Sequence, residues 1–285
     1  MFDNLAEDIK LVKELRSYTD VELAEKYELS RMTVSRWMNG SVTASDTGVE
    51  RFYSAVFNDG IRLNRIKSQL YAEEYSAART KIIFHGSKSG ITGAISLEYS
   101  GTENDFGPGF YCGESLEQSA MFIARHRKSS VYVIKFNTTG LKKTEYIVNL
   151  DWMLSIAMHR GHLSQYADHP IIRRLKEKTA NADYIAAPIA DNRMFDLIDE
   201  FSSGLITDQQ CSHALSATNL GMQYVIKSEK ALKQLDIIER LYLPQPERDY
   251  YLNSRKETQQ VSEDKVKAAR RSYRDKGRYI DDILK

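Results

Sequence analysis

The hydrophobic pattern changes near residue 80, and this change constrains the fold more than any other feature of the chain. Residues 1–80 contain no proline and few glycines, and apolar residues recur at helical spacing, as at Leu5, Ile9 and Val12. From residue 81 to 243, short helical patterns alternate with β-rich pieces, namely KIIFH, VYVIKF, ADYIAAPI and MQYVIKS. The pattern predicts an all-α N-terminal domain and then an α/β or α+β domain.

Charge and cysteine content exclude several classes of protein. Forty basic and 39 acidic residues in a chain of 285 leave a net charge of +1, so the chain is not polybasic overall and any basic footprint must be local. Two cysteines, Cys112 and Cys211, are too few for a disulfide framework and fit a reducing compartment. No signal peptide or apolar run of about 18 residues is present. We therefore expect a cytoplasmic protein without a membrane partner.

The C-terminal segment, residues 244–285, has a composition of its own. It begins with Pro244 and Pro246, and residues 255–278 contain nine basic and four acidic residues, a local excess of five positive charges. Val266, Ala269 and Tyr273 follow one another at helical spacing beside this basic face. We predict a basic helical tail that docks on the preceding domain, binds nucleic acid, binds a partner or is simply solvated.

Residues 19–40 have the pattern of two helices joined by a turn. The first helix changes register at Glu28-Leu29-Ser30, and Ser30 is a good N-cap for a second helix over 31–38, which Asn39-Gly40 ends. With Val34 and Trp37 or Met38 inward, the side chains that face out are those of Arg31, Thr33, Ser35 and Arg36. Such side chains can contact base edges and phosphates.

The spacing in residues 19–40 resembles the helix-turn-helix of bacterial regulators. This resemblance implies DNA binding through the second helix, whereas a three-helix bundle that binds protein, or nothing, is the alternative. Residues 1–80 carry 11 basic and 13 acidic residues, so their net charge of −2 attracts phosphates only weakly. DNA binding would therefore need a homodimer or help from the basic tail.

A second group of residues predicts a ligand pocket. His85-Gly86-Ser87 ends the strand KIIFH, and the turn at Gly107-Pro108-Gly109 precedes Tyr111. A helix follows from about Ser115 to His126, in which Ser119 and Phe122 are three residues apart and share a face. Tyr111 and Phe122 would form aromatic walls around a few polar groups. Such a pocket suits a flat heterocyclic amide such as nicotinamide, although each residue by itself is more typical of an ordinary structural role.

These motifs resemble ADP-ribosyltransferases of the diphtheria-toxin and poly(ADP-ribose) polymerase type. The match spans about residues 81–243 and rests on His85-Gly86-Ser87, on Asp-Phe-Gly-Pro-Gly-Phe-Tyr at 105–111, and on the spacing of Tyr111, Ser119 and Phe122. The resemblance implies a split β-sheet with flanking helices and NAD as co-substrate, without a metal. It also implies that the Gly86 backbone and Ser119 hold the nicotinamide carboxamide, that Tyr111 and Phe122 stack on the ring, and that His85 bonds a ribose hydroxyl.

At one position of the family pattern, near the start of a late strand, this chain has a different residue. The family has a glutamate there, and the best match in this chain is Gln223. A glutamine keeps a hydrogen bond but supplies neither a negative charge nor a base. Catalysis by a general base contributes roughly 100- to 10,000-fold in rate.

We also expect Arg193, after the strand ADYIAAPI, to bind the NAD pyrophosphate. The alternative for that segment is that Asn192 is a helix N-cap.

Three hypotheses follow for the whole chain, and the third is an NAD glycohydrolase. The first is a mono-ADP-ribosyltransferase coupled to a DNA-binding-like domain, with a toxin or phage-defence role, a macromolecular acceptor of unknown class and an antitoxin or regulatory partner. The second is a DNA-binding regulator whose weak or inactive domain senses NAD or a related nucleotide. The domain boundaries that we predict are 1–80, 81–243 and 244–285.

Overall fold

The computed structural model of the protein describes residues 4–99, 104–190, 192–217 and 221–285, without the side chains at positions 99, 192, 193 and 258–262. Its N-terminal part is helical, as the periodicity predicts. The helices are α1 (Leu5–Arg16), α2 (Asp20–Lys26), α3 (Arg31–Met38), α4 (Asp46–Asn58) and α5 (Leu63–Glu74). They enclose a core in which Ile9, Leu23 and Phe52 are completely buried.

A tight turn joins α2 to α3. It passes through Glu28, whose backbone is left-handed with φ of 53°. The hydroxyl of Ser30 accepts a hydrogen bond from the Thr33 amide and so begins α3 at the predicted residue. Val34 and Trp37 are buried, as the predicted register requires. Two helices joined by a turn are therefore confirmed here, whereas DNA binding by them stays a prediction.

Seven strands form one mixed sheet within the described residues, in the order β4-β5-β6-β2-β1-β3-β7. The strands are β1 (Thr80–Ser87), β2 (Phe110–Gly113), β3 (Ser130–Asn137), β4 (Lys143–Glu145), β5 (Tyr184–Pro188), β6 (Met222–Ile226) and β7 (Leu235–Tyr242). Strands β4 and β5 are parallel, and the other neighbours are antiparallel. The four β-rich pieces become β1, β3, β5 and β6, so a mixed α+β fold is confirmed. The finer family arrangement stays a prediction.

Helices pack on the sheet and on one another. They are α6 (Leu116–Ile123), α7 (Leu150–His159), α8 (Pro170–Ala180), α9 (Asn192–Ser202), α10 (Asp208–Ser216) and α11 (Glu229–Leu232). The largest core contains Trp152 of α7 and Phe201 of α9, both completely buried. Helix α6 lies against β1, β2 and β3. Within the described residues, no helix is long and apolar enough to cross a membrane.

The C-terminal segment packs against the rest of the molecule. Helix α12 (Gln245–Ser272) contacts α4, α6 and α10, and Tyr251 in its second turn is buried. Val266 and Ala269 pack against the largest core, as their spacing predicts for an inward face. The short helix α13 (Ile280–Ile283) adds two buried isoleucines to the same core. The segment is helical as predicted, and its basic face is the part that stays outside.

Buried charges join the N-terminal helices to strand β7. The Lys67 ammonium on α5 donates to the carboxylates of Asp8 on α1 and Glu239 on β7, and all three side chains are less than a tenth exposed. Tyr53 and Tyr71 donate their hydroxyls to Asp8 and Glu239, respectively. Burial raises the pKa of the Asp8 carboxyl despite the neighbouring ammonium. Because two carboxylates share one ammonium, each depends on Lys67 for its charge balance.

A second polar group lies in the same interface. The Asn64 amide on α5 donates to the carbonyl oxygen of Tyr242 and to the carboxyl of Glu247 on α12, each at 2.7 Å. Burial raises the pKa of Glu247 to about 7. The Glu50 carboxylate on α4 accepts hydrogen bonds from the Tyr242 hydroxyl and the Gln245 amide. The N-terminal helices, β7 and α12 therefore meet through polar groups as well as through apolar contacts.

Replacing Lys67 by Met should lower the free energy of unfolding by about 3–5 kcal/mol, because the Asp8 and Glu239 carboxylates lose their cation while they stay buried. Urea unfolding followed by circular dichroism measures the loss. The matched control is Lys10→Met, which removes a half-exposed ion pair with Glu7 and should cost less than about 1 kcal/mol. Similar losses of unfolding free energy in the two variants would contradict the stabilising role of Lys67 in the buried cluster.

Replacing Glu247 by Gln should change how stability depends on pH. The folded-state pKa of about 7 lies above the unfolded value, so folding favours the protonated carboxyl, and ionisation destabilises the wild type as pH rises from about 4.5 to 7. Relative to the Glu247→Gln variant, the wild type should lose about 3 kcal/mol between pH 4.5 and pH 8. Urea titrations across this range measure the difference. The surface control Glu7→Gln should keep the wild-type profile, and a parallel profile for Glu247→Gln would contradict the prediction.

Candidate functional site

His85 is fixed on β1 by two contacts. Its ring stacks on Phe110, with centroids 4.2 Å apart and planes inclined by 22°. Its Nδ1 lies 2.7 Å from the main-chain carbonyl oxygen of Tyr111, and because a carbonyl only accepts, this nitrogen carries the proton. Burial lowers the pKa of the imidazole, which favours the neutral ring. A neutral ring held in this way presents Nε2 as a hydrogen-bond acceptor.

Gly86 and Ser119 lie together where α6 approaches β1. A Cβ atom on Gly86 would be only 2.7 Å from the carbonyl oxygen of Ser119, so no larger residue fits without moving the helix. The Ser119 hydroxyl is buried and donates to the carbonyl oxygen of Phe84 at 2.9 Å. Its oxygen keeps lone pairs that can accept another hydrogen bond. The glycine is therefore required by helix packing, whatever ligand the site takes.

Tyr111 on β2 organises the turn that precedes it. Its hydroxyl donates to the carbonyl oxygen of Gly107 at 2.7 Å and accepts from the amide of Phe106 at 3.1 Å. Burial raises the pKa of the phenol well above its usual value, so the hydroxyl stays protonated. Gly107 has a left-handed backbone with φ of 68°, which suits glycine at this turn. The phenol thus holds the turn at Phe106 and Gly107 in place. Tyr111 contacts His85 through its main-chain oxygen and not through its ring.

Gln223 meets a carboxyl group that sequence reasoning did not assign. On β6 it lies opposite Gly113 of β2, and its side chain is buried. Its amide nitrogen donates to Asp105 at 2.8 Å and to the carbonyl oxygen of Pro188 at 3.1 Å. The Asp105 carboxyl is also 3.4 Å from the Arg160 guanidinium, and burial raises its pKa while Gln223 and Arg160 oppose the rise. A buried, partly compensated carboxyl therefore lies beside the glutamine.

The other predicted pocket residues are placed less centrally. Phe122 on α6 is half exposed, and the Arg255 guanidinium of α12 lies 5.7 Å from its ring centroid. Among the described ring contacts there is none between Phe122 and Tyr111, and their role as aromatic walls around a ligand stays a prediction. Ser87 ends β1 opposite Ser130 and is partly exposed. The side chain of Arg193 lies outside the described residues.

The outward face of α3 has the predicted residues on it. Arg31, Ser35 and Arg36 are exposed, and Thr33 is partly exposed with its hydroxyl 2.7 Å from that of Ser30. Neither arginine forms an ion pair with another described residue. The surface is therefore accessible, and its ligand stays a prediction.

Sequence reasoning missed Asp105 as a functional candidate, although it begins the seven-residue motif that ends at Tyr111. It also missed Arg160, for which no sequence signal exists.

His159 lies beside Gly107, and burial together with neighbouring lysines lowers its pKa to about 4. Among the described residues no group of three or more side chains is arranged to hold a metal ion.

Comparison with known proteins identifies the family of this chain. The family described as "Protein of unknown function (DUF3990)" matches residues 81–237, more than half of the chain, and the chain therefore belongs to it. The match begins at β1 and ends within β7, so it contains the whole candidate site. Neither a curated protein nor a solved structure matches the chain.

Replacing Tyr111 by Phe should cost about 1–3 kcal/mol of unfolding free energy, because the Phe106 amide and the Gly107 carbonyl lose their partner in a largely buried turn. Urea unfolding gives the energy, and amide exchange at Phe106 should accelerate. The control is Tyr224→Phe on the neighbouring strand, where the hydroxyl has no hydrogen-bond partner among the described residues, and it should leave both quantities near wild type. Unchanged exchange at Phe106 in Tyr111→Phe would contradict this role of the hydroxyl.

Proposed function

We propose that this member of the DUF3990 family transfers ADP-ribose from NAD to a single acceptor site. The observation that carries the proposal is the meeting of the three motifs at the junction of β1, β2 and α6. There the His85 ring is anchored to the Tyr111 main chain, and Ser119 touches the main chain on either side of His85. Residues that are up to 34 positions apart in sequence therefore converge where the resemblance requires a nicotinamide riboside site.

In the proposed reaction His85 orients the ribose of NAD. Because Nδ1 is occupied by the Tyr111 carbonyl, Nε2 is the atom that accepts a hydrogen bond from a ribose hydroxyl. The main chain at Gly86 and the Ser119 oxygen bind the carboxamide. Bond breaking occurs between the nicotinamide nitrogen and ribose C1′, and the electron pair leaves with nicotinamide. The acceptor nucleophile then bonds to C1′ and loses its proton.

The positive charge that develops on the ribose needs a negative partner, and Gln223 does not carry one. We assign this role to Asp105, whose carboxyl accepts a hydrogen bond from the Gln223 amide at 2.8 Å. The Arg160 guanidinium, at 3.4 Å, favours the ionised carboxyl although burial opposes it. An ionised Asp105 polarises the Gln223 amide and lowers the electrostatic potential of the pocket, which favours a cationic transition state.

The contact between Asp105 and Gln223 determines which substitution at position 223 is informative. Replacing Gln223 by Glu alone would put two carboxyl groups at hydrogen-bond distance in a buried site, and their repulsion would oppose ionisation of both. The informative variant is the exchange Asp105→Asn with Gln223→Glu, which restores the glutamate of the family and keeps an amide as its partner. This double variant keeps one carboxyl group in the site but moves it from position 105 to position 223. It therefore tests whether the site needs the charge at a particular position or only needs a charge.

The test follows nicotinamide release from NAD, and labelled ADP-ribose on macromolecules of a cell lysate, by mass spectrometry. We expect His85→Ala and Asp105→Asn each to lower nicotinamide release by about 100-fold. The exchange variant should recover at least part of the activity that Asp105→Asn loses. The control His162→Ala removes an exposed histidine that pairs with Asp199 and should keep wild-type activity. Wild-type rates in both His85→Ala and Asp105→Asn would refute the site, and the labelled class of macromolecule identifies the acceptor.

One observation favours the sensor-regulator as the second candidate. Both hydrogens of the Gln223 amide are used within the protein, by Asp105 and by the Pro188 carbonyl, so the amide has no donor left for a ligand. Calorimetry with NAD discriminates the two candidates. Binding without nicotinamide release in buffer or lysate supports the regulator, and the exposed residues of α3 then become the DNA-reading surface to test.

A further inference from the structure

The groove between α10 and α12 is lined mainly by cations. It is an open cavity of about 360 Å³, and its lining residues are Gln210, Lys267, Arg270, Arg271 and Arg274. We propose that this groove binds the phosphodiester backbone of a nucleic acid. The proposal is independent of NAD chemistry, because it rests on a different surface and on different residues from the candidate site at β1, β2 and α6.

The four cations form a row along the C-terminal end of α12 and the turn that follows it. Positions 267, 270 and 271 correspond to i, i+3 and i+4, so they lie on one side of the helix over about 6 Å of its axis. Arg274 lines the groove from the turn after Ser272. Lys267, Arg271 and Arg274 are exposed. An open row of this kind fits a chain of successive phosphates better than it fits one enclosed phosphate group.

Most of this charge has no counterpart among the side chains that the structure describes. Arg270 pairs with Glu200 of α9 at 2.7 Å, but Lys267, Arg271 and Arg274 make no ion pair with any described residue. The nearby Asp208 carboxylate already accepts hydrogen bonds from the amides of Arg278 and Gln209. Like charges three and four residues apart repel on a helix, so the helix is less stable than a neutralised one would be. A bound polyanion removes this repulsion.

Contacts with α10 hold the row of cations in place. Gln210 on α10 donates its amide to the main-chain carbonyl oxygen of Arg270 at 3.0 Å, and Tyr273 stacks on His213 of α10 with centroids 3.6 Å apart. The helix is therefore attached along the face opposite to solvent. Three of the four cations are arginines, whose planar guanidinium groups bind phosphate oxygens in pairs. Because cations contact phosphates whatever the base sequence, we expect binding with little sequence preference.

The experiment measures binding of the full chain to a labelled 20-base-pair DNA duplex and to a 20-nucleotide single-stranded RNA, by fluorescence anisotropy over a range of salt concentrations. The test variant is Lys267→Gln with Arg271→Gln and Arg274→Gln, which leaves the Arg270 ion pair intact. The charge-matched control is Arg127→Gln with Lys128→Gln and Lys233→Gln, three exposed cations outside the groove. A third variant, Arg31→Gln with Arg36→Gln, reports on α3 separately.

We expect the groove variant to bind at least one of the two probes on the order of 100-fold more weakly at 0.1 M salt, with the slope of log K against log salt reduced by about 2 to 3. The control should keep most of the affinity, and thermal melting should show that the groove variant folds as well as the wild type. Equal losses in the groove variant and the control would overturn the proposal, as would wild-type protein that binds neither probe. Groove-dependent binding to anionic lipid vesicles or inorganic phosphate without binding to nucleic acid would also overturn it.

Discussion

The close approach of α6 to the sheet determines the geometry of the candidate site. A Cβ atom at Gly86 would meet the Ser119 carbonyl oxygen at 2.7 Å, and one at Gly113 would meet the Ser119 hydroxyl at 3.0 Å. Two glycines on neighbouring strands thus admit one turn of helix into space that side chains normally fill. The hydrogen bond from Ser119 to the Phe84 carbonyl holds that turn in place. Everything that the site presents at β1 depends on this contact.

Local features of the fold were predictable from sequence because local rules determine them. Helix α3 begins at a capping serine and ends at Asn39-Gly40, and both signals lie within the helix or beside it. The strands that became β1, β3, β5 and β6 are short apolar runs between turn signals. His85, the main chain of Tyr111 and Ser119 lie at one junction of the sheet, and their role there stays a prediction.

The partners of buried polar groups were not predictable in the same way. Asp105 and Gln223 are 118 residues apart, and no periodicity connects them, because the contact depends on β6 pairing with β2. Lys67 and Glu239 are 172 residues apart, and each by itself is typical of an exposed residue. Pairings over such separations require the tertiary structure.

The polar interface of β7 has a consequence for how the molecule behaves as a whole. Asp8 and Asn64 come from the N-terminal helices, Glu239 from the sheet and Glu247 from α12, so each part supplies groups that the others need for their desolvated charges. A fragment beginning at Thr80 would leave Glu239 without its ammonium and Glu247 without its amide. The helical part and the sheet are therefore not interchangeable modules, and the loss of either should destabilise the other. Replacing the N-terminal helices of this protein by unrelated helices would therefore also require substitutions in β7 and α12.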